Sequence, residues 1–398
     1  MNSHCSNSPF HYHLYMTDVL IVAMADSIHT ARWIAQFSNQ NISILLFPST
    51  PHRRIHQGIK DLIGGDQRLQ VTLAPKMRFL ALPLTLSDTI FKTKFRSNYL
   101  RFLIRKSCPR IIHGLETQHG GYLIADSIIG LDQNPLIYLS IWGSDLIWFG
   151  KFEKHRRKIT EILTKVDYLG VECFRDVEMA KSLGFDGKLL PVIPASGGIN
   201  IDSIDELGPF MQTSRRHRIM VKGYSGFVGR SITALNALEM LSNELKSYEI
   251  HIYSASYKTM WRAQRTIREK GLNITCHKKH SLSHSAVISL FGESRLSLSV
   301  SLSDGFSGSL RESMATGCFP IESMNSCGSE WIDSGKSALF INPLEIDEIV
   351  TAIRSVLTDD SLVDSAAVTN RGIVEGRISS ESIEKHLSSY YVGTTRHD

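Results

Sequence analysis

Cysteine is scarce and scattered: Cys5, Cys108, Cys173, Cys276, Cys318 and Cys327 are the only six in 398 residues, and no two form a Cys-x-x-Cys pair. That spacing argues against a disulfide framework and against a zinc knuckle, so the cysteines read as reduced packing residues. No run of 18 apolar residues occurs, and no transmembrane helix is expected. The opening MNSHCSNSPFHYHLYM lacks the basic start and apolar stretch of a secretory signal, which makes the cytoplasm the expected location. His4, His11 and His13 in that stretch read as a solvated flexible tail rather than a metal site. No Gly-x-Gly-x-x-Gly is present to suggest a nicotinamide cofactor. The glycines at 120–121 and 197–198 read as tight backbone turns.

What is present is the composition of a soluble globular chain, 42% hydrophobic and 21% charged. Its length favours two domains over one. The net charge of +5 is concentrated in the first half, in PHRRIHQGIK, FKTKFRSNYLRFLIRK and KFEKHRRK. Such stretches suit an anionic partner or a solvated face. None is laced with aromatics in the manner of a nucleic-acid motif, so no nucleic-acid partner is expected. Arg, Lys, Phe, Leu and Ile at helical spacing in RSNYLRFLIRKSCPR suggest peripheral contact with an anionic membrane, at the inner face of the plasma membrane.

Short apolar runs alternate with helical patterns from Asp18 onward: DVLIVAM, HTARWIAQFSN, ISILLFP, then PRIIHGL, PLIYLSI, VDYLGV and KLLPVI. Parallel strands joined by crossover helices produce this rhythm. It restarts after a Pro-Gly-Ser-rich boundary near 194–200, with HRIMVKG, YEIHIYSA, NITCHK, RLSLSVS, CFPIES and ALFINP. The expected architecture is α/β, two tandem Rossmann-like doubly wound parallel-sheet domains with an interdomain cleft. The expected boundaries are a tail at 1–16, a first domain at 17–197, a second at 198–380, and a final helix at 381–398 crossing back to the first.

The segment SVSLSDGFSGSLRESMATGCFPIESMNSCGSEWIDSG sets Asp304 on a Gly-Ser turn and Glu312 in the helix that follows. It resembles the nucleotide-sugar site of the family 4 glycosyltransferases, which have the two-domain GT-B fold. Their hallmark is Glu-Gly-Phe, a second Glu after seven residues, then Ala-Met-Ala-x-Gly-x-Pro. Here it reads Asp304-Gly305-Phe306, then Glu312-Ser313-Met314-Ala315-Thr316-Gly317-Cys318-Phe319-Pro320, with Asp where the family usually has Glu. More weakly, IVAMADSIHTARWIAQFS resembles the start of the family's acceptor domain. SIWGSDLIW resembles its His-Gly-Ser-Asp turn, and IMVKGYSGFVGRSITALNAL the opening of its donor domain.

The resemblance implies that Glu312 accepts hydrogen bonds from the ribose diol and that Asp304 meets donor-sugar hydroxyls. As a bare sequence feature Asp304 also suits a helix N-cap. Backbone N–H groups of Gly305, Phe306, Ser307, Gly308 and Ser309 are expected at a phosphate or the sugar. Lys222 and Arg230 are the cations expected to stabilise the leaving diphosphate. Asp-x-Asp, with which enzymes of the other common glycosyltransferase fold hold a metal, is absent from the chain, and no metal or other cofactor is expected. On the acceptor side, His113 is expected to end its strand facing the cleft, in a catalytic role, although a strand-end histidine also suits a structural one. Ser27, His29, Glu116, His119 and Asp145 are the acceptor-binding candidates.

The function these features imply is transfer of a sugar from a nucleotide-sugar, a UDP-sugar favoured over a GDP-sugar, to a saccharide or lipid-linked acceptor. The resemblance further implies retention of configuration and a place in bacterial surface polysaccharide or glycolipid assembly. The alternatives are a sugar-nucleotide 2-epimerase on the same fold and a non-catalytic nucleotide-sugar-binding partner.

Overall fold

A computed structural model of the protein describes residues 17–51, 54–64, 68–74, 77–226, 228–387 and 390–391, the side chains of 78, 79 and 81 excepted. The tail with His4, His11 and His13 lies outside the described residues. The chain divides into two compact units, the first running to Gly197 and taking in the segment from Glu384, the second being Gly198–Ile383.

In the first unit the strands are β1 (Val19–Ala23), β2 (Ile42–Pro48), β3 (Leu69–Leu73), β4 (Ile111–Leu115), β5 (Leu136–Ser140), β6 (Tyr168–Gly170) and β7 (Lys188–Leu189). They form one sheet in the order β3-β2-β1-β4-β5-β6-β7, and every pairing is parallel. In the second, β8 (Arg218–Lys222), β9 (Glu249–Ala255), β10 (Asn273–Lys278), β11 (Leu296–Leu298), β12 (Phe319–Ser323) and β13 (Leu339–Ile341) are ordered β10-β9-β8-β11-β12-β13, again all parallel. Strands buried on both faces need apolar side chains at every position rather than at alternate ones. VLIVA of β1 and IIHGL of β4 are accordingly buried throughout. The strand order reverses between β1 and β4 in one sheet and between β8 and β11 in the other. At such reversals the loops leaving the carboxyl ends splay apart, which is where open sheets bind ligands.

β3 is the strand that the apolar runs do not reveal. It is an edge strand of alternating burial, Leu69 and Val71 inside and Gln70 and Thr72 exposed, and a single covered face needs only half as many apolar residues.

Tyr390 and Tyr391 pack into the first unit. Trp33 sits 4.9 Å from Tyr390 between ring centroids, and Phe37 stacks on Tyr391 at 4.7 Å. Tyr391 Oη lies 2.7 Å from His113 Nδ1 and accepts from Trp33 Nε1 at 3.3 Å. These side chains are almost wholly buried, so each polar atom needs a partner inside the cluster.

Close backbone approach, rather than a left-handed turn, explains Gly120. A Cβ there would stand 2.5 Å from the carbonyl oxygen of Val22 in β1. Gly120→Ala is expected to lower the stability of the chain by about 1–3 kcal/mol in denaturant melting, because backbone must move to admit one methyl. An unchanged midpoint would show that the contact yields freely.

Candidate functional site

In the second unit the loops leaving β8 and β11 at the sheet's reversal are tied together, Leu302 N donating to Val228 O at 2.7 Å. Lys222, the last residue of β8, reaches across to Asp304, with Nζ 2.5 Å from Oδ2. Asp304 Oδ1 accepts from Gly305 N at 3.0 Å, which turns the loop. Burial disfavours the charged ammonium of Lys222, but Asp304, Tyr253 and Glu322 outweigh it and hold its pKa above the ordinary lysine value. Arg230 begins the helix Ser231–Met240 with φ 51°, and its buried Nε has no hydrogen-bond partner. An arginine held in that conformation with an unsatisfied donor is suited to receive an anion.

The helix Gly308–Ala315 follows directly. Its cap is Ser307, whose Oγ accepts from Leu310 N at 3.1 Å, so Asp304 is not the N-cap. Freed from capping, the Asp304 carboxylate turns to Lys222. Glu312 projects from the second turn, 8% exposed, with Oε1 2.8 Å from His284 Nε2. Phe306 is 1% exposed and stacks on Trp331 at 4.5 Å and 3°, with the Arg311 guanidinium 5.7 Å from its ring. Its side chain thus anchors the loop in the core, and the serines Ser307 and Ser309 follow it at the start of the helix. Those two hydroxyls lie 3.2 Å apart.

The first-unit candidates fall into three places. Glu116 and Asp145 are buried and bind backbone. Glu116, at φ 72°, accepts from His119 N at 3.1 Å and Gly120 N at 2.8 Å, while Asp145 accepts from Thr117 N at 2.8 Å and Trp142 N at 3.1 Å. Burial pushes both carboxyl pKa values up, and the charge of Asp145 adds to the rise at Glu116. His29 is exposed, its ring 5.7 Å from Trp142, and Ser27 caps that helix by accepting from His29 N at 3.2 Å. His113 is fully buried in the middle of β4, two residues short of the strand's end where the sequence had suggested it. Both ring nitrogens are engaged, Nδ1 with Tyr391 Oη and Nε2 with Ser140 Oγ at 2.9 Å, and burial pushes its pKa down to about 3, so it stays neutral.

Two doubly wound parallel sheets, each with its polar loops at the strand-order reversal, are the architecture of a GT-B glycosyltransferase. Residues 18–169 match the family described as Glycosyl transferase 4-like, and residues 234–371 match Glycosyl transferases group 1. The chain belongs to this family and is a glycosyltransferase. No curated protein matches it significantly in sequence. Among solved structures, sucrose-phosphate synthase from Thermosynechococcus elongatus superposes with a TM-score of 0.70 at 12% identity, over 94% of this chain and 98% of the other. A glycosyltransferase from Rickettsia africae gives 0.68 at 12%, over 96% and 100%. HepE from Anabaena in complex with UDP gives 0.65 at 12%, over 94% and 98%. These likenesses are of fold.

Sequence reasoning missed Glu322. It lies in β12, 2% exposed, with Oε2 3.5 Å from Ser307 Oγ and a buried Oε1 that has no hydrogen-bond partner. Its signal was an acid inside the apolar run FPIES. His284, which meets Glu312, gave no comparable signal. Burial raises the Glu322 pKa from its ordinary 4.5 to about 7, with Lys222 opposing and Asp304 adding to the rise. The folded state therefore keeps a proton that the unfolded chain releases. Stability from this group is full below about pH 4.5 and falls as pH rises through 7. Glu322→Gln is expected to be more stable than the parent at pH 8 by on the order of 1–3 kcal/mol, with the gap closing towards pH 4.5. Melting at a series of pH values checks this, and a gap that does not change with pH would refute it.

Proposed function

We propose that the protein transfers a sugar from a nucleotide-sugar, a UDP-sugar in preference to a GDP-sugar, to a saccharide or lipid-linked acceptor, with retention of configuration and without a metal. The observation that carries this reading is the cluster at the carboxyl ends of β8 and β11. It sets Lys222 against Asp304, a Gly-Ser helix start beside them, and Glu312 on the same helix. Anabaena HepE, solved with UDP and with UDP-glucose, shares the fold and supports the choice of base.

Glu312 accepts from the ribose hydroxyls, displacing His284. The N–H groups of the 305–309 loop and helix start meet the diphosphate. Asp304 meets hydroxyls of the donor sugar. As the acceptor hydroxyl attacks the anomeric carbon, the bond from that carbon to the diphosphate breaks and the acceptor proton passes to the departing phosphate oxygen. Negative charge grows on the diphosphate, where Lys222 and Arg230 stabilise it. His113 is left out of this scheme because it is buried and holds Tyr391 and Ser140. Ser27, His29, Glu116, His119 and Asp145 serve the acceptor, Glu116 and Asp145 by shaping the loops that receive it.

Surface polysaccharide or glycolipid assembly is the proposed setting. Exposed Leu86, Ile90, Phe91, Phe95 and Phe102 accompany the basic residues of 92–106, which supports peripheral contact with an anionic membrane. Sedimentation with anionic vesicles but not neutral ones, weakened by salt, is expected. Equal sedimentation with both would end that part of the proposal.

The site itself is tested by titrating UDP and a UDP-sugar into two variants. Glu312→Gln should weaken bare UDP by about 1.5–3 kcal/mol. Asp304→Asn should leave UDP binding nearly unchanged and lower turnover of the sugar nucleotide, in EDTA as well as without it. Equal loss of UDP binding in the two variants, or activity that EDTA abolishes and Mn²⁺ restores, would overturn the assignment.

A further inference from the structure

The first unit holds a cavity of about 250 Å³ of which the scheme above uses only His119. It opens beside Ser49, just past β2, and Gln118 and His119, just past β4, and therefore at the carboxyl ends of the strands, where this class of sheet takes its ligands. His119 is the one acceptor candidate from the sequence that lines it.

Three cations and two carboxylates face this space: Lys94, Arg96 and Lys158 against Asp88 and Asp126. The carboxylates are already committed. Asp126 is paired with Lys94 at 2.9 Å. Asp88 accepts from Thr93 Oγ1 at 2.6 Å, Phe95 N at 2.8 Å and Arg96 N at 3.1 Å. The two remaining cations have no carboxylate within ion-pair distance among the described residues. Lys158 lies over the Tyr122 ring, 5.1 Å from its centroid. Arg96 is 8% exposed and gives Nη2 to the carbonyls of Pro48 and Ser49, while its buried Nε has no partner. The hydroxyl of Ser49, 1% exposed, is unpartnered as well.

A buried guanidinium with an idle N–H and a buried hydroxyl with nothing to bond are costly in isolation, and Lys158 adds an exposed positive charge beside them. An anion with several oxygen acceptors would satisfy all three. We propose that this cavity binds a phosphate group of the acceptor, with Arg96, Lys158 and Ser49 as its ligands. This rests on the glycosyltransferase reading for its acceptor, but the binding itself does not require turnover. The phosphate belongs either to a soluble sugar phosphate or to a lipid headgroup. Leu86 and Ile90 are exposed on the helix Met77–Ile90, whose Thr85, Asp88 and Thr89 line the cavity, so a lipid tail has apolar surface close by.

The test uses the full chain with inorganic phosphate and a hexose 1-phosphate as soluble probes, and phosphatidic acid in phosphatidylcholine vesicles as the lipid probe. Lys158→Gln, at an exposed position, should weaken binding of the responding probe about tenfold while leaving the melting temperature and UDP affinity unchanged. Arg96→Lys should weaken it as well, since a lysine keeps the charge without the idle Nε–H. Loss confined to the soluble probes identifies a sugar phosphate, and loss confined to the vesicles identifies a lipid headgroup. Either supports the cavity as a phosphate site. Phosphate binding that both variants leave intact, no binding of any probe, or binding of neutral hexose as strong as that of the phosphate ester would overturn it. Failure of UDP to bind the parent protein would sink the nucleotide-sugar reading and leave this one standing.

Discussion

One partly buried ion pair sets the terms for the second unit. Lys222 at the end of β8 and Asp304 in the loop after β11 come from opposite sides of the strand-order reversal and neutralise one another there. Their contact closes the loop over the sheet. The helix that carries Glu312 starts three residues after Asp304, at the Ser307 cap. Glu322 adds a second acid beneath the pair, so the local charge is balanced only if one carboxyl stays protonated or another cation approaches. A site built this way is sensitive to the charge of what enters it. Any anion entering would add negative charge to a place already holding two acids, which is why the unsatisfied Nε of Arg230 matters as much as the lysine.

The aspartate at 304 is intelligible in these terms. The long side chain of Lys222 spans most of the gap, so a short acid suffices to meet it at 2.5 Å.

The fold was legible because doubly buried strands announce themselves as apolar runs. β1, β2 and β4 stand out from their residues alone, whereas β3, covered on one face, does not. The grouping of Asp304, Gly305 and Glu312 was legible for a different reason: they lie within nine residues, and local spacing survives in sequence. What sequence could not show is which way a side chain turns. His113 was expected to face a ligand, but β4 continues through Gly114 and Leu115, and the ring points into an aromatic cluster. Phe306 sits in the motif, yet its ring is spent on Trp331. Arg96 and Lys158 are 62 residues apart in the chain and only the folded sheet places both on one cavity.

The cluster around His113 links residues at nearly opposite ends of the chain, with Trp33 bonded to Tyr391 and separated from it by 358 positions. Such contacts close a very long loop, and its closure entropy has to be met before they contribute. During synthesis, the first unit emerges from the ribosome lacking two of the aromatic side chains that fill its core. It must wait, incomplete, while the whole second unit is made and Tyr390 and Tyr391 come back to it. The order of assembly is therefore not the order of the units: the domain translated first is the one finished last.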